Sequence, residues 1–246
     1  MGVRGGAIGA ALALGVACLG TTATAADDVP ASDWLTRRLY FFAGVDIARD
    51  TTFGWSGIVV APFKRLDEDG TRIRIFGGFG RYRYDTGAVP GGINTGQITS
   101  GELLIGRRIA FDAVTLVAYA GAHVEHHALQ APDPANPVAG TSAGLKTLFE
   151  IHWRALQNFV ATASMSASTV YRSYTARATL ARELQPYFQL GAEAAAFGDA
   201  RYSEVRAGVL MRAMLAPAEF TLAAGLLKNS DKGSGAYTTL SLYAPF

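Results

Sequence analysis

Three alternating side chains between positions 123 and 127 are the residues of this sequence best placed to hold a metal ion. His123, Glu125 and His127 share one face if the segment is a β-strand, because side chains on a strand repeat every two residues. The two histidines would then lie about 13 Å apart, which is too far for a single ion. A site built from one of them, Glu125 and His152 of the following segment stays open, but we expect neither a metal nor a cofactor.

Serines and histidines offer a second kind of chemistry, the nucleophilic attack used by hydrolases. Such a site needs a serine beside a histidine that a third group orients. Ser164, Ser166 and Ser168 alternate along one segment, but no His-x-Ser sequence brings the two residue types together. The glycines at 77, 78 and 80 lack the strand-to-helix context of a nucleotide-binding loop. We therefore predict no catalytic residues, and a lipid-modifying hydrolase remains an alternative.

Charged side chains of both signs recur at alternate positions of segments whose other face is apolar. If these segments close into a barrel, the charges face its lumen, where each must pair or stay hydrated. The lumen would then be a salt-bridged plug, a narrow polar conduit or a sugar-contacting lining. The residues singled out for the lumen are Asp46, Glu125, Glu150, Arg154, Glu204 and Arg206, and the same pattern includes Arg74, Glu102, Arg108, Lys146, Arg177, Glu183, Glu193 and Arg212.

The elements that position these residues show the period of two that is typical of β-strands. Between 203 and 212, for example, Val205 and Val209 alternate with charged residues and glycine. We predict about twelve strands of this kind. Their approximate spans are 38–48, 53–63, 71–84, 97–109, 113–127, 144–156, 158–170, 173–184, 186–197, 200–215, 218–228 and 235–246.

Two local features qualify this pattern. Segment 71–84 changes phase near Gly77 and Gly78, which predicts a bulge or bend. Aromatic residues near the predicted strand ends suggest the interfacial girdles of a membrane barrel. They are Tyr40, Phe41, Trp55, Phe63, Tyr82, Tyr84, Phe111, Trp153, Tyr171, Tyr174, Tyr187, Phe197, Tyr202 and Tyr243.

Alternating strands fit two architectures, a soluble sandwich and a membrane barrel. In a sandwich the apolar faces meet in a core, whereas in a membrane barrel they face lipid and the polar faces line the lumen. Short connections such as 111–112 alternate with long ones such as 85–96 and 130–143, as in outer-membrane barrels. The proline-rich stretch 132–137 is expected to be an exposed, mobile loop. The sequence therefore predicts an all-β fold, a closed antiparallel transmembrane β-barrel with an even number of strands.

Both ends of the sequence fit export to an outer membrane. Arg4, the apolar run 7–19 and the small residues Ala23-Thr24-Ala25 form the pattern of a cleaved signal peptide. Phe246 resembles the terminal aromatic that outer-membrane proteins use for insertion, although Pro245 before it departs from that pattern. The expected division is 1–26 signal peptide, 27–37 periplasmic lead and 38–246 barrel.

The composition argues against several other classes of protein. The formal net charge is only +2 and the arginines are spread singly, which argues against nucleic acid as a partner. Apart from the N-terminal run, no stretch approaches the roughly 20 apolar residues of a spanning helix. The only cysteine, Cys18, falls in the expected signal peptide, so neither a disulfide framework nor a thiol site is expected.

The stretch from 42 to 86 carries a more specific set of residues. They are Ala43-Gly44-Val45-Asp46, then Gly57 before an apolar strand, then Asp69-Gly70 and above all Gly77-Gly78-Phe79-Gly80-Arg81-Tyr82-Arg83-Tyr84-Asp85. This stretch resembles the BcsS family of cellulose biosynthesis proteins. The rest of the chain resembles the family in its layout, which has a signal peptide, one domain of this length and a C-terminal barrel strand.

The resemblance implies a non-enzymatic protein at the bacterial outer membrane that assists cellulose biosynthesis, export or surface attachment. A glucan is neutral and rich in hydroxyl groups, so aromatic faces and charged hydrogen-bonding groups would bind it. Tyr82, Arg83, Tyr84 and Asp85, at the outer end of the third strand, offer both, although a girdle with ordinary rim charges is the alternative. Expected partners are outer-membrane lipid, cellulose or its secretion machinery and the barrel assembly machinery. A general small porin is the second alternative function.

Overall fold

The computed structural model describes residues 38–156, 158–215 and 217–245. Within these residues twelve antiparallel strands form one closed barrel, in which each strand pairs with its neighbours in sequence and β1 pairs with β12. The predicted fold class is confirmed. The strands are β1 (Leu39–Ala48), β2 (Thr51–Val60), β3 (Gly70–Asp85), β4 (Ile93–Phe111), β5 (Val114–Leu129), β6 (Gly140–Leu156), β7 (Phe159–Ser168), β8 (Tyr174–Gln185), β9 (Phe188–Gly198), β10 (Ser203–Leu215), β11 (Ala218–Asn229) and β12 (Gly233–Pro245).

A short 3-10 turn, Val170–Arg172, lies between β7 and β8. No helix within the described ranges is long and apolar enough to cross a membrane. The predicted signal peptide, the predicted periplasmic lead and Phe246 lie outside the described residues.

The seam between β1 and β12 completes the ring of strands. Its register pairs Ala43 with Leu242 and Ile47 with Thr238 in an unbroken antiparallel ladder. A bilayer core has no water to satisfy free N–H and C=O groups, so a sheet that spans it must close in this way.

The barrel wall has an apolar outer face and a mostly polar inner face. On β10, Val205 and Val209 are 56% and 64% exposed, whereas Glu204 and Arg206 on either side of Val205 are only 3% and 5% exposed. The large apolar side chains that the outer face exposes include Ile75, Phe79, Leu103, Ile105, Phe149, Ile151, Met165, Leu180, Leu190, Met211, Leu222, Leu226 and Leu240. Such a belt is unfavourable in water and favourable in hydrocarbon.

The predicted strands all occur, with ends that differ by up to four residues from the predicted ones, and two of these differences have a clear cause. β2 ends at Val60, because Pro62 has no N–H to donate to a ladder, and Phe63 therefore lies in the following connection. β4 begins at Ile93 rather than 97, and Ile93 pairs with Asp85 across a connection that ends in Gly91 and Gly92. Both glycines have positive φ values, 89° and 74°, and so turn the chain tightly enough for the hairpin to extend.

The predicted bulge near Gly77 and Gly78 is wrong. β3 keeps an unbroken register through both glycines, with β2 on one side and β4 on the other. The apparent change of phase arises because the inward positions change from arginine to glycine and then to tyrosine, while the outward positions keep apolar residues such as Ile75 and Phe79.

The two ends of the barrel have connections of different length. The end that we call the loop end carries residues 49–50, 86–92, 130–139, 169–173, 199–202 and 230–232. The opposite turn end carries 61–69, 112–113, 186–187 and the connections from β6 to β7 and from β10 to β11. The predicted alternation of long and short connections holds except at 49–50, which is short, and at 61–69, which is long. There the Arg72 guanidinium donates to the carbonyl oxygens of Arg65, Leu66 and Glu68 at 3.2, 3.0 and 2.5 Å, so the longer connection is folded around one buried charge.

The outward face of β10 gives a test of the membrane assignment. Val209 lies at the middle of this strand, so Val209→Arg would place a charge in hydrocarbon and should cost about 2–4 kcal/mol of folding free energy. Ser203→Arg, at the loop-end start of the same strand, should cost about 0–1 kcal/mol. Urea-induced folding and unfolding in lipid vesicles measures both values. Equal costs at the two positions would contradict a bilayer around this face.

Candidate functional site

A buried arginine in the lumen holds two carboxylates. The two terminal nitrogens of Arg206 lie 2.6 and 2.9 Å from the oxygens of Asp46, and its Nε lies 2.6 Å from Glu204. The Thr239 hydroxyl donates to Asp46 at 2.6 Å. Paired and charge-assisted bonds of this kind are among the strongest available to side chains. Three of the predicted lumen residues, Asp46, Glu204 and Arg206, therefore meet in one network.

Aromatic rings enclose the same guanidinium. Its central carbon lies 4.6 Å from the ring centres of both Phe197 and Tyr237, which is a cation–π distance. The Tyr237 hydroxyl donates to Glu193 at 2.6 Å, and Leu210 on β10 is 1% exposed. Side chains therefore occupy this part of the lumen, and we call the region around Glu193, Arg206, Leu210 and Tyr237 the filled side.

A second ionic network lies on β3, β4 and β6. Glu102 accepts a hydrogen bond from Arg74 at 2.6 Å and another from Lys146. The Arg74 guanidinium also lies 4.8 Å from the ring centre of Phe42 and 5.1 Å from that of Phe76. One carboxylate is thus shared by two cations, and one of these cations rests on aromatic rings.

The other three predicted lumen residues lie apart from the Arg206 network. Glu125 and Glu150 are half-buried on the inward faces of β5 and β6. Glu150 lines an open cavity of about 280 Å³ together with Thr115 and Arg177. Arg154 is exposed close to the end of β6.

The histidines make hydrogen bonds to hydroxyl groups. His123 contacts Ser168 through Nδ1 at 2.8 Å and Ser100 through Nε2 at 3.1 Å. His127 contacts the Tyr82 hydroxyl through Nδ1 at 2.9 Å. His152 pairs with Thr115 near the turn end and so lies far along the barrel from both. Among the described residues, no group of three potential ligands could hold a metal ion.

This arrangement also bears on the hydrolase alternative. A catalytic histidine takes the serine proton with one nitrogen and is held by an acid through the other. Both nitrogens of His123 face serine hydroxyls, so no carboxylate is in the orienting position.

The proposed glucan contacts on β3 divide between two surfaces. Tyr82 and Tyr84 point into the lumen, where Tyr84 is 2% exposed. Arg83 and Asp85 point outward at the rim, where Arg83 lies 3.2 Å from Asp50 and Asp85 lies 3.4 Å from Lys232. The four residues therefore do not form one surface.

Several aromatic residues that we assigned to membrane girdles also face the lumen, which corrects that assignment. They are Tyr40, Trp55, Tyr82, Tyr84 and Phe197, each of which contacts inward-facing groups. Phe111, Trp153, Tyr174 and Tyr187 remain on the exposed outer face. The sequence does not separate these two sets because an aromatic ring suits both a lipid interface and a lumen wall.

Connections at the loop end fold across the mouth of the barrel. Arg201, between β9 and β10, donates to the carbonyl oxygen of Asp85 at 2.7 Å and lies over the Tyr84 ring at 4.5 Å. β3 and β9 lie opposite each other in the ring of strands. Arg201 thus bridges the mouth, and sequence reasoning missed it.

The connection 130–139 folds into the same mouth, so the predicted loop is exposed only in part. Asp133, Asn136 and Val138 are buried. Asp133 accepts hydrogen bonds from the hydroxyls of Thr86 at 2.8 Å and Tyr84 at 3.1 Å. We call the connection 130–139 and Arg201 together the cap.

A local signal for this docking was present in the sequence. The N–H of Ala135 donates to Asp133 and the N–H of Val138 donates to Asn136. Such side-chain turns two residues apart are typical of Asp and Asn. They satisfy backbone groups locally and allow a proline-rich segment to be ordered.

Comparison with known proteins adds a family and several structural likenesses. The family model described as "Cellulose biosynthesis protein BcsS" matches residues 40–246. A search of curated proteins finds no match.

Solved structures similar to the chain include a porin, an autotransporter translocator domain and an outer membrane protein. The "KdgM porin" is 8% identical, with 84% of this chain and 99% of that chain covered and a TM-score of 0.47. The translocator domain of the autotransporter NalP from Neisseria meningitidis is 13% identical, with 87% and 92% covered and a TM-score of 0.47. The outer membrane protein Omp33 of Acinetobacter baumannii is 10% identical, with 87% and 100% covered and a TM-score of 0.43. At such values these likenesses assign no function to the chain.

The Arg206 network gives a test of what the lumen charges contribute. Asp46→Ala should destabilise the barrel by about 1.5–3 kcal/mol, because it removes two charge-assisted hydrogen bonds of a buried guanidinium, which keeps only Glu204 as its ionic partner. Asp67→Ala is the matched control, since it removes the partner of Arg65 in an exposed ion pair and should cost about 0–1 kcal/mol. Denaturant unfolding in vesicles compares the two. A small loss for Asp46→Ala would mean that water hydrates Arg206 readily.

The cap gives a prediction about pH. The hydrogen bond from Thr86, and to a lesser extent that from Tyr84, lowers the pKa of Asp133 against the opposing effect of desolvation. A carboxyl whose pKa is lowered on docking stabilises the docked state at pH values above the ordinary pKa of the free carboxyl. This stabilisation is lost as the pH falls through the lowered pKa. Hydrogen exchange of residues 130–139 should therefore stay slow from neutral pH down to about pH 4 and lose protection below it. Asp133→Ala should show fast exchange at all of these pH values.

Proposed function

The chain belongs to the family of the cellulose biosynthesis protein BcsS, and on that premise we propose that it is an outer-membrane barrel that assists export or surface attachment of cellulose without catalysing a reaction. The observation that carries the proposal is the two-faced wall of the closed barrel, apolar outside and polar inside. A cellulose biosynthesis protein of this form has the surface of a membrane-spanning component.

The outward belt supports the membrane part of the proposal. Side chains such as Phe79, Leu103 and Val209 are more than half exposed on the outer face, and burial in hydrocarbon removes their contact with water. The even number of strands brings both ends of the described chain to the turn end. Short turns face the periplasm in outer-membrane barrels, so the loop end and its cap face the outside of the cell.

The chemistry of the lumen supports an accessory role. Its buried carboxylates Asp46, Glu102 and Glu204 are engaged by cations, and His123 is engaged by two serines. Groups engaged in this way position and stabilise the wall. The cap supports a selective barrel over a general small porin, because Arg201 and Asp133 obstruct the mouth through which small solutes would pass.

Expected partners follow from the same surfaces. The outer belt contacts outer-membrane lipid, and folding into that membrane requires the barrel assembly machinery. Within the lumen or at the loop end the partner is cellulose itself or a component of its secretion machinery.

Deletion of the gene in the source bacterium tests the proposal. We expect surface cellulose, measured by dye binding to intact cells, to fall, while the lipid composition of the outer membrane stays unchanged. Complementation with the full chain restores the cellulose, and complementation with Asp133→Ala tests the cap in the same assay. Cellulose recovered from the medium separates failed attachment from failed export. Normal surface cellulose in the deletion strain would refute the proposal, and altered lipids would favour the hydrolase.

A further inference from the structure

One wall of the lumen is lined by aromatic rings rather than charges. These rings come from β1, β2 and β3, and each points inward. We call them the aromatic wall: Phe42, Phe53, Trp55, Phe76 and Tyr82. On β3 alone the row from Phe76 to Tyr82 spans six residues, or about 20 Å along the strand.

Glycines on the neighbouring strands hold these rings flat. Phe42 pairs directly with Gly57, Trp55 with Gly44, and Tyr82 with Gly96 across the ladders. A Cβ atom added at any of these glycines would overlap the ring opposite it. A ring therefore occupies the place of each missing side chain and lies against the backbone, an arrangement that also shields the glycine.

The same relation holds for Phe53. Its ring covers Gly80, with which it pairs, and also Gly78, and a Cβ atom at either glycine would overlap it. Gly78 and Gly80, two of the β3 glycines that resemble those of the BcsS family, therefore make room for the Phe53 ring of β2. Each ring that covers a glycine in this way lies on the inner surface of the wall.

The rings of the aromatic wall are less buried than the side chains of the filled side. Phe42, Phe53 and Trp55 keep part of their surface exposed although they point inward. On the filled side, Leu210 and Tyr237 are 1% and 2% exposed. The rings of the aromatic wall are therefore partly accessible to solvent.

Polar groups border the rings on both sides. Arg74, shared between Glu102 and the rings of Phe42 and Phe76, lies on one side, and Asp46 with Thr239 lies on the other. An extended neutral polysaccharide has apolar faces of C–H groups and edges of hydroxyl groups. Flat ring faces suit the first, and charged hydrogen-bonding groups suit the second.

We infer that the aromatic wall is a binding site for a neutral, extended glucan chain inside the barrel. The inference rests on the proposed function and names the ligand and the surface for it. It also moves the glucan contacts from the rim residues Arg83 and Asp85 to the ring faces within the lumen, of which Tyr82 is one.

The test uses the full barrel in lipid nanodiscs, with cellohexaose as the probe and isothermal titration calorimetry as the measurement. Phe53→Leu and Trp55→Leu should each weaken binding roughly three- to tenfold, the loss expected for one aromatic contact. Phe79→Leu is the matched control, because this ring lies on the outer face of β3, and it should leave binding unchanged. Trp55→Phe keeps a flat ring on Gly44 and should bind within about twofold of the parent.

Heat-modifiable gel mobility shows that each variant is folded before it is titrated. Absence of cellohexaose binding by the folded parent, or an equal loss in Phe79→Leu, would overturn the inference. So would binding of decanoate in preference to cellohexaose, which would identify an acyl-chain site.

The result is separable from that of the deletion experiment. Loss of surface cellulose on deletion, with no cellohexaose binding by the pure barrel, would leave the proposed function standing and reject the aromatic wall as its site. Cellohexaose binding by the barrel, with normal cellulose in the deletion strain, would reject the proposed function and keep the site.

Discussion

Closure of the sheet is the constraint on which the rest of this molecule depends. In hydrocarbon an open strand edge would leave a row of N–H and C=O groups without partners, at a cost of several kcal/mol for each group. The pairing of β1 with β12 removes that edge. In a closed barrel the period of two determines the direction of every side chain, since each strand residue must face either lipid or lumen.

The closed lumen then imposes its own rule on charge. A guanidinium or carboxylate that faces inward is distant from bulk water and needs a partner at close range. Arg206 meets this need with Asp46 and Glu204, and Glu102 meets it with Arg74 and Lys146. Both networks join strands that are not neighbours, so they also fix the cross-section of the barrel. Side chains around Arg206 occupy the filled side, whereas the rings of the aromatic wall stay partly exposed.

The sequence predicts the wall of this barrel far better than its interior. Alternation alone places twelve strands, because it depends only on residue types along one segment. The contact of Arg206 with Asp46 joins residues 160 positions apart, and the pairing of Trp55 with Gly44 requires the register between two strands. Neither is visible within a segment. The bulge predicted at Gly77 and Gly78 is wrong for the same reason, since Gly78 makes room for the Phe53 ring on another strand.

The cap and the aromatic wall are linked through Tyr84. Its ring lies under the Arg201 guanidinium, and its hydroxyl donates to Asp133, so it is held by both parts of the cap. Tyr84 also follows Tyr82 on the inward face of β3, with ring centres 5.9 Å apart. A glucan chain that extended along the aromatic wall to Tyr84 would compete with Arg201 for the same face of the Tyr84 ring. Ligand contacts would then replace the contact between Arg201 and Tyr84. Because a ligand shifts an equilibrium only by its differential affinity for two states, such competition would weaken the link between the cap and β3 only as far as the ligand binds better without that link.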